Sequence, residues 1–183
     1  MIAYHLLSNI GDRGNNEDNV GMYQRDEAYC FVLADGLGGH GKGEVASQLA
    51  VESAVKIFAV KGAGTESLEA SFQDAQKEIL TKQQEDITAR DMKTTLVILH
   101  VGADRIWWGH IGDSRLYLLR ESLEQITKDH SYVEELVALG KMKRGSRDYE
   151  EKKNIITRAV GTGEDVDIDL FALKLKRRDY VLM

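Results

Sequence analysis

The chain has 183 residues, 43% hydrophobic and 30% charged, enough for one substantial core and too few for two large ones, so a single domain over residues 1–183 is expected. Its 24 basic and 30 acidic residues leave a net charge of −6, which argues against nonspecific binding to nucleic acid or to an anionic membrane surface. Cys30 is the one cysteine and proline is absent; an internal disulfide is excluded, a reducing, cytoplasmic setting fits, and turns must rely on Gly, Asn and Asp.

The N-terminal MIAYHLLSNIG is too short an apolar run for a signal peptide, and no run of about 18 apolar residues could span a bilayer. Ala3 to Ile10 alternates apolar and polar side chains, as an edge or half-buried strand would. GDRGNNEDN, residues 11–19, places Arg13 four residues ahead of the acidic pair Glu17 and Asp18, in what reads by itself as a polar loop. From Tyr29 to Ala34, Cys, Phe, Val and Leu crowd together without a polar interruption, predicting a buried strand around an inert Cys30 thiol. Asp35 ends that run and a glycine-rich loop follows. A helix is predicted over residues 44–60 from Val45, Ala46, Leu49, Ala50, Ala54, Ile57 and Phe58. A second starts behind Gly64 with Thr65 as N-cap and Leu68, Phe72, Ala75 and Ile79 as its apolar face; the short link predicts antiparallel packing of the two.

Three short β-branched and aromatic runs, TTLVILHVG, RIWWGHIG and SRLYLLR, predict an antiparallel meander in which Trp107 and Trp108 face opposite sides. Ser131 and Glu134 form a capping box before a helix that Gly140 closes. Lys141 to Lys153 is almost wholly charged and predicts a mobile surface excursion anchored by Met142 and Tyr149. Asn154 to Gly163 returns to apolar character around Arg158, and Asp167 to Leu175 alternates. The final run, Tyr180 to Met183, has no following element to bury it, so truncation is expected.

Asp35 is the first functional candidate, because desolvation makes a charge at the end of a buried strand costly and a cation relieves that cost. GLGGHGKG, residues 36–43, fits the phosphate-binding pattern G-x-x-x-x-G-K. Gly43 stands where that pattern needs a hydroxyl for magnesium, however, and Asp35 would repel the phosphates. Asp35, Gly36, Glu17, Asp18 and Asp113 could instead supply oxygen ligands for Mg²⁺ or Mn²⁺, all in turn contexts. Arg13 could then grip a phosphate in its planar fork, and His40 could protonate a departing oxygen.

Six segments occur in one order: RGNNED (13–18), ADGLGGHGKGEVAS (34–47), TTL (94–96), GHIGDSRLYLLR (109–120), TKDHS (127–131) and ITRAVG (156–161). In them the chain resembles the metal-dependent serine/threonine protein phosphatases of the PPM (type 2C) family, in its bacterial form, over nearly its whole length. The resemblance implies an α+β fold, two antiparallel β-sheets packed face to face and flanked by helices, which the helix pair and the meander independently suit. It implies that Asp35 bridges two Mn²⁺ or Mg²⁺ ions with the Gly36 carbonyl completing one. Glu17 and Asp18 would belong to the water-mediated shell, Asp113 to a third ion, Arg13 to the substrate phosphate and His40 to general acid catalysis. The implied activity is hydrolysis of phosphoserine and phosphothreonine in proteins by a metal-activated water, on substrates that include a serine/threonine kinase. The implied role of residues 141–153 is that of the family's flap.

Family members continue after a strand like YVLM into a Ser-Asp-Gly motif and later an Asp-Asn motif. Both are absent here, so the expected fold lacks its C-terminal strands and a fragment of weak or no activity is expected. The alternatives are a noncatalytic phosphoprotein-binding or regulatory module and, on the glycine loop alone, a nucleotidase.

Overall fold

A computed structural model describes residues 2–37 and 42–183. Strands β1 (Asp18–Arg25) and β2 (Ala28–Leu37) form a hairpin, followed by α1 (Gly43–Lys61) and α2 (Thr65–Glu85). Then come β3 (Lys93–Thr94), β4 (Leu96–Val101), β5 (Arg105–Ile111), β6 (Tyr117–Leu119) and β7 (Leu123–Gln125). Helices α3 (Tyr132–Ala138) and α4 (Arg147–Lys152) precede β8 (Asp169–Lys174) and β9 (Tyr180–Leu182). One antiparallel sheet has the order β1-β2-β4-β5-β8, with β3 also on β2, and a second has the order β7-β6-β9.

The apolar run in β2 is continuous because both its faces are covered. Cys30, Val32 and Ala34 face α1 and α2, where Phe58, Leu68, Phe72 and Ile79 are fully buried. Phe31, together with Val97, Leu99, Ile106 and Trp108, faces the other way, toward Leu116, Ile126 and Val181 of the second sheet region. Truncating Phe58 or Phe72 to Ala would cost about 3–5 kcal/mol. Burial pushes the Cys30 thiol up to about 12, so it is inert as expected. Among the described residues no helix is long and apolar enough to cross a membrane.

Several expectations hold: the buried strand, both long helices, the helix that Gly140 closes, the two tryptophans on opposite faces, and the strands near 169–174 and 180–182. Others are corrected. Ala3 to Ile10 is not a strand; its Tyr4 packs on Phe31 and Tyr29, with ring centroids 5.4 and 6.3 Å apart. A periodic pattern reports apolar contact and not whether a backbone partner lies within reach. Residues 18–25, not singled out as a strand, form one because β2 supplies the ladder. The third run of the expected meander leaves the first sheet: β6 pairs with β7 and β9, and β8 takes the place beside β5.

Thr65 is the first helical residue and Gly64 the cap. The expected capping box is absent: Ser131 caps α3 without a side-chain hydrogen bond, and the Glu134 side chain is committed elsewhere. Its carboxylate binds Arg144 as an ion pair and accepts from Tyr149 Oη at 2.8 Å. The charged segment 141–153 therefore carries a short helix, α4, and is held to α3 by Tyr149 as expected and by Arg144 in addition.

Candidate active site

The site is built at the end of β2. The β1–β2 ladder places Asp18 directly opposite Asp35, and like charges in that relation repel. Asp35 is thereby pushed up to about 6, by burial first and then by the charges of Asp18 and Asp113 and a hydrogen bond to Asp18, while Arg13 opposes the shift. A carboxyl group raised in this way by other carboxyls marks a place where a cation would relieve stored repulsion.

The backbone around Asp35 is drawn tight. The Gly36 N–H donates to the Glu17 carbonyl at 3.0 Å, and Ser47 Oγ donates to the same oxygen at 2.6 Å. A Cβ on Gly36 would fall inside the Gly43 carbonyl group and 2.6 Å from Glu17 O. A Cβ on Gly43 would lie 3.1 Å from Glu17 Cδ. Glycine at both positions thus lets the β2 end, the approach to β1 and the first turn of α1 meet, which sets Glu17 against the start of α1. Lys42 caps that helix in the left-handed region (φ 62°), and its Nζ reaches Asp86 Oδ2 at 2.8 Å. Thr88 N and Oγ1 in turn donate to Asp86 Oδ1 at 2.9 and 2.7 Å.

Asp113 arrives from the end of β5, one residue past Gly112 (φ 103°), where a Cβ would meet Thr95 Cγ2 at 2.6 Å. It is half-buried, and burial followed by the charge of Asp129 raises its carboxyl above the usual range. Asp129 itself is gripped by Arg115 through Nε and Nη2, at 3.0 and 2.7 Å.

A second cluster lies behind this turn. His110, His130 and Asp169 offer ligand atoms within 4.8 Å of one another. His110 Nε2 donates to the Lys128 carbonyl at 2.9 Å, leaving its Nδ1 buried without a partner among the described residues. His130 Nδ1 accepts from the Gly112 N–H at 3.1 Å, so its Nε2 carries the proton toward Asp169 Oδ2 at 3.4 Å. The two imidazoles are stacked, 4.7 Å between centroids and 16° between planes. Lone pairs lying in near-parallel planes do not converge on one ion, and Arg158 Nη1 already neutralises Asp169 at 3.2 Å. As arranged, this cluster is a brace for Gly112. Burial, then the charges of His110 and Arg158, hold His130 below its usual value.

The fold thus gathers Arg13, Asp18, Asp35 and Asp113, with Glu17 attached through the Gly36 backbone. His40 lies outside the described residues. One expectation is corrected: the acids are not all in turns, because Asp18 opens β1 and Asp35 and Gly36 lie within β2, where the ladder fixes their spacing. Nothing in the sequence singles out Thr95 and Ser114, whose hydroxyls lie 2.7 Å apart, or the His110–His130–Asp169 brace. Both histidines lie inside quoted motifs, but nothing in their spacing signals that they stack.

The family model described as "Protein phosphatase 2C" matches residues 7–152. Serine/threonine phosphatase stp of Listeria monocytogenes is 32% identical over 180 residues, covering 93% of this chain and 71% of that protein. The crystal structure of serine/threonine phosphatase Stp1 from Staphylococcus aureus superposes with TM-score 0.83 at 32% identity, over 90% of this chain and 68% of that one. The catalytic domain of serine threonine protein phosphatase PstP, in complex with two manganese ions, superposes with TM-score 0.78 at 34% identity, over 92% of this chain and 70% of that one.

Proposed function

This chain belongs to the protein phosphatase 2C family, and from that membership we propose that it hydrolyses phosphoserine and phosphothreonine in proteins with the help of Mn²⁺ or Mg²⁺. The observation that carries the reading is the strand register that sets Asp18 opposite Asp35, whose carboxyl burial and then the charges of Asp18 and Asp113 raise. All the donors are hard oxygens, the set that suits these two cations. Asp35 and the Gly36 carbonyl would hold two ions, Glu17 and Asp18 the waters around them, and Asp113 a third. Bound there, the metal supplies Lewis acidity, which lowers the pKa of water and offsets the charge of a phosphoryl group.

The remaining chemistry falls to side chains. Arg13 is exposed beside Asp35, where its guanidinium can bind two phosphate oxygens and orient the group. His40 is the proposed donor of a proton to the departing seryl or threonyl oxygen. Residues 1–183 belong to one phosphatase domain with a cytoplasmic signalling role, and a serine/threonine kinase is among the phosphorylated proteins it acts on. The test is phosphate release from a phosphothreonine peptide with Mn²⁺ and then with EDTA, beside Asp35→Asn. Metal-dependent release lost in the variant supports the reading, and release that survives Asp35→Asn overturns it. Peptide binding without release would instead favour a phosphoprotein-binding module.

A further inference from the structure

We propose that Thr95 is a positioning residue for this site: its hydroxyl ties the backbone of Asp35 to Ser114, so that the acids Asp35 and Asp113 keep a set separation. The inference rests on the metal-site reading above. It begins from an irregularity in the first sheet. Register pairs run from Leu33 with Val97 to Gly36 with Thr94, which places Thr95 opposite Asp35. An antiparallel ladder exchanges two backbone hydrogen bonds at such a pair.

Only one is made in that form: the Thr95 N–H donates to the Asp35 carbonyl at 2.9 Å. In the other, the Asp35 N–H donates to Thr95 Oγ1 at 3.0 Å, and the Thr95 carbonyl is left to the Thr94 hydroxyl, whose one proton it shares with the Asp35 carbonyl, each at 2.9 Å. Thr95 is the residue missing between β3 and β4 for this reason. The substitution leaves neither group unpaired, so its cost is small. It gains a connection that a regular ladder could not make, because Thr95 Oγ1 also lies 2.7 Å from Ser114 Oγ. One hydroxyl can accept from Asp35 and donate to Ser114 at once.

Ser114 is the residue after Asp113, and the residue before it is held as well. The Gly112 N–H donates to His130 Nδ1 at 3.1 Å, and Gly112 O accepts from the His130 N–H at 2.9 Å. The Thr95 methyl packs against Gly112, leaving no room for a Cβ there. Asp113 is therefore clamped on both flanks, and Thr95 touches the Asp35 backbone and both neighbours of Asp113. Groups that orient metal ligands in this way change metal affinity when they are removed.

The experiment compares Thr95→Val, Thr95→Ser, Ser114→Ala and the valine–alanine double variant. It reads metal-free amide exchange by NMR and Mn²⁺ affinity by calorimetry. Thr95→Val is expected to speed exchange at Asp35 and at residues 112–114 together, and to weaken Mn²⁺ binding about 10–100-fold. Thr95→Ser, which keeps the hydroxyl, restores both. Ser114→Ala weakens Mn²⁺ binding similarly, and the double variant is no worse than the worse single one, as expected for one shared interaction. Unchanged exchange at 112–114 in Thr95→Val, additive losses in the double variant, or failure of serine to rescue overturns the tie. A wild-type chain that binds no Mn²⁺ would refute the metal reading by itself, with exchange at 112–114 still deciding whether Thr95 links the two segments.

Discussion

Asp18 and Asp35 stand opposite one another across the β1–β2 ladder, and the carboxyl of Asp35 is raised by burial first and then by the charge of Asp18. A like charge in this relation disfavours ionisation of the buried partner, Asp35. Strand pairing sets the two backbones opposite each other, so the separation of the charges is fixed by the register to within the reach of two short side chains.

The stored repulsion gives the metal-free chain a particular pH response. Asp35 is raised from 3.8 to about 6 on folding, so between those values the folded state binds more protons than the unfolded one. Its contribution is fully present below about pH 4 and is lost as pH rises through about 6. The expected result, in EDTA, is a urea midpoint for wild type that falls relative to Asp35→Asn across this window. Depressed acids such as Asp179 and Glu134 act the other way, losing their contribution as pH drops below about 4, so the difference between wild type and variant isolates Asp35. Parallel curves for the two proteins would exclude the shift.

Gly36→Ala should destabilise the fold as well as the site. Its Cβ has no room between the Gly43 carbonyl and Glu17 O, and both obstacles are backbone, which cannot rotate away. A loss of about 1–3 kcal/mol in a denaturant titration is expected, the usual cost of overpacking. Wild-type stability for Gly36→Ala would mean that β2 and α1 do not approach as described.

Glu134→Gln should loosen the 141–153 segment with little effect on the core. The carboxylate is the shared partner of Arg144 and Tyr149, and an amide replaces the charge that holds the guanidinium. Limited trypsin digestion is expected to cut faster after Lys141, Lys143, Arg144 and Arg147, while the thermal midpoint moves little. Equal cutting rates would show that the segment is held by something else.

Arg13→Ala separates substrate binding from folding. Arg13 is exposed, and its backbone N–H makes a long bond of 3.4 Å to Ile10 O, so stability should be unchanged. With a phosphothreonine peptide, KM is expected to rise about tenfold or more, the loss of a charge-assisted contact worth about 1.5–3 kcal/mol. An unchanged KM would remove Arg13 from the phosphate site.

The core and the acids proposed for the site were legible in the sequence because their signals are local. The apolar run of β2, the helical spacing of Phe58 and Phe72 and the acid at Asp35 each follow from a few adjacent side chains. What was not legible was partnership. The Ala3 to Ile10 pattern looked like a strand and found no ladder, whereas Asp18 to Arg25 became one because β2 lay beside it. Glu134 was read as half of a capping box, yet its charge goes to Arg144, ten residues on, which a capping rule cannot see.

By itself the sequence determined which residues would be buried, which acids could serve hard cations and which family the order of the motifs resembles. Those properties belong to residue types and their spacing. Tertiary structure alone decided that Asp18 faces Asp35, that Gly36 must meet the Gly43 backbone, and that the Thr95 hydroxyl replaces a ladder carbonyl to reach Ser114. These depend on strand register and on contacts between residues 7 to 60 positions apart, set by the packing of whole elements.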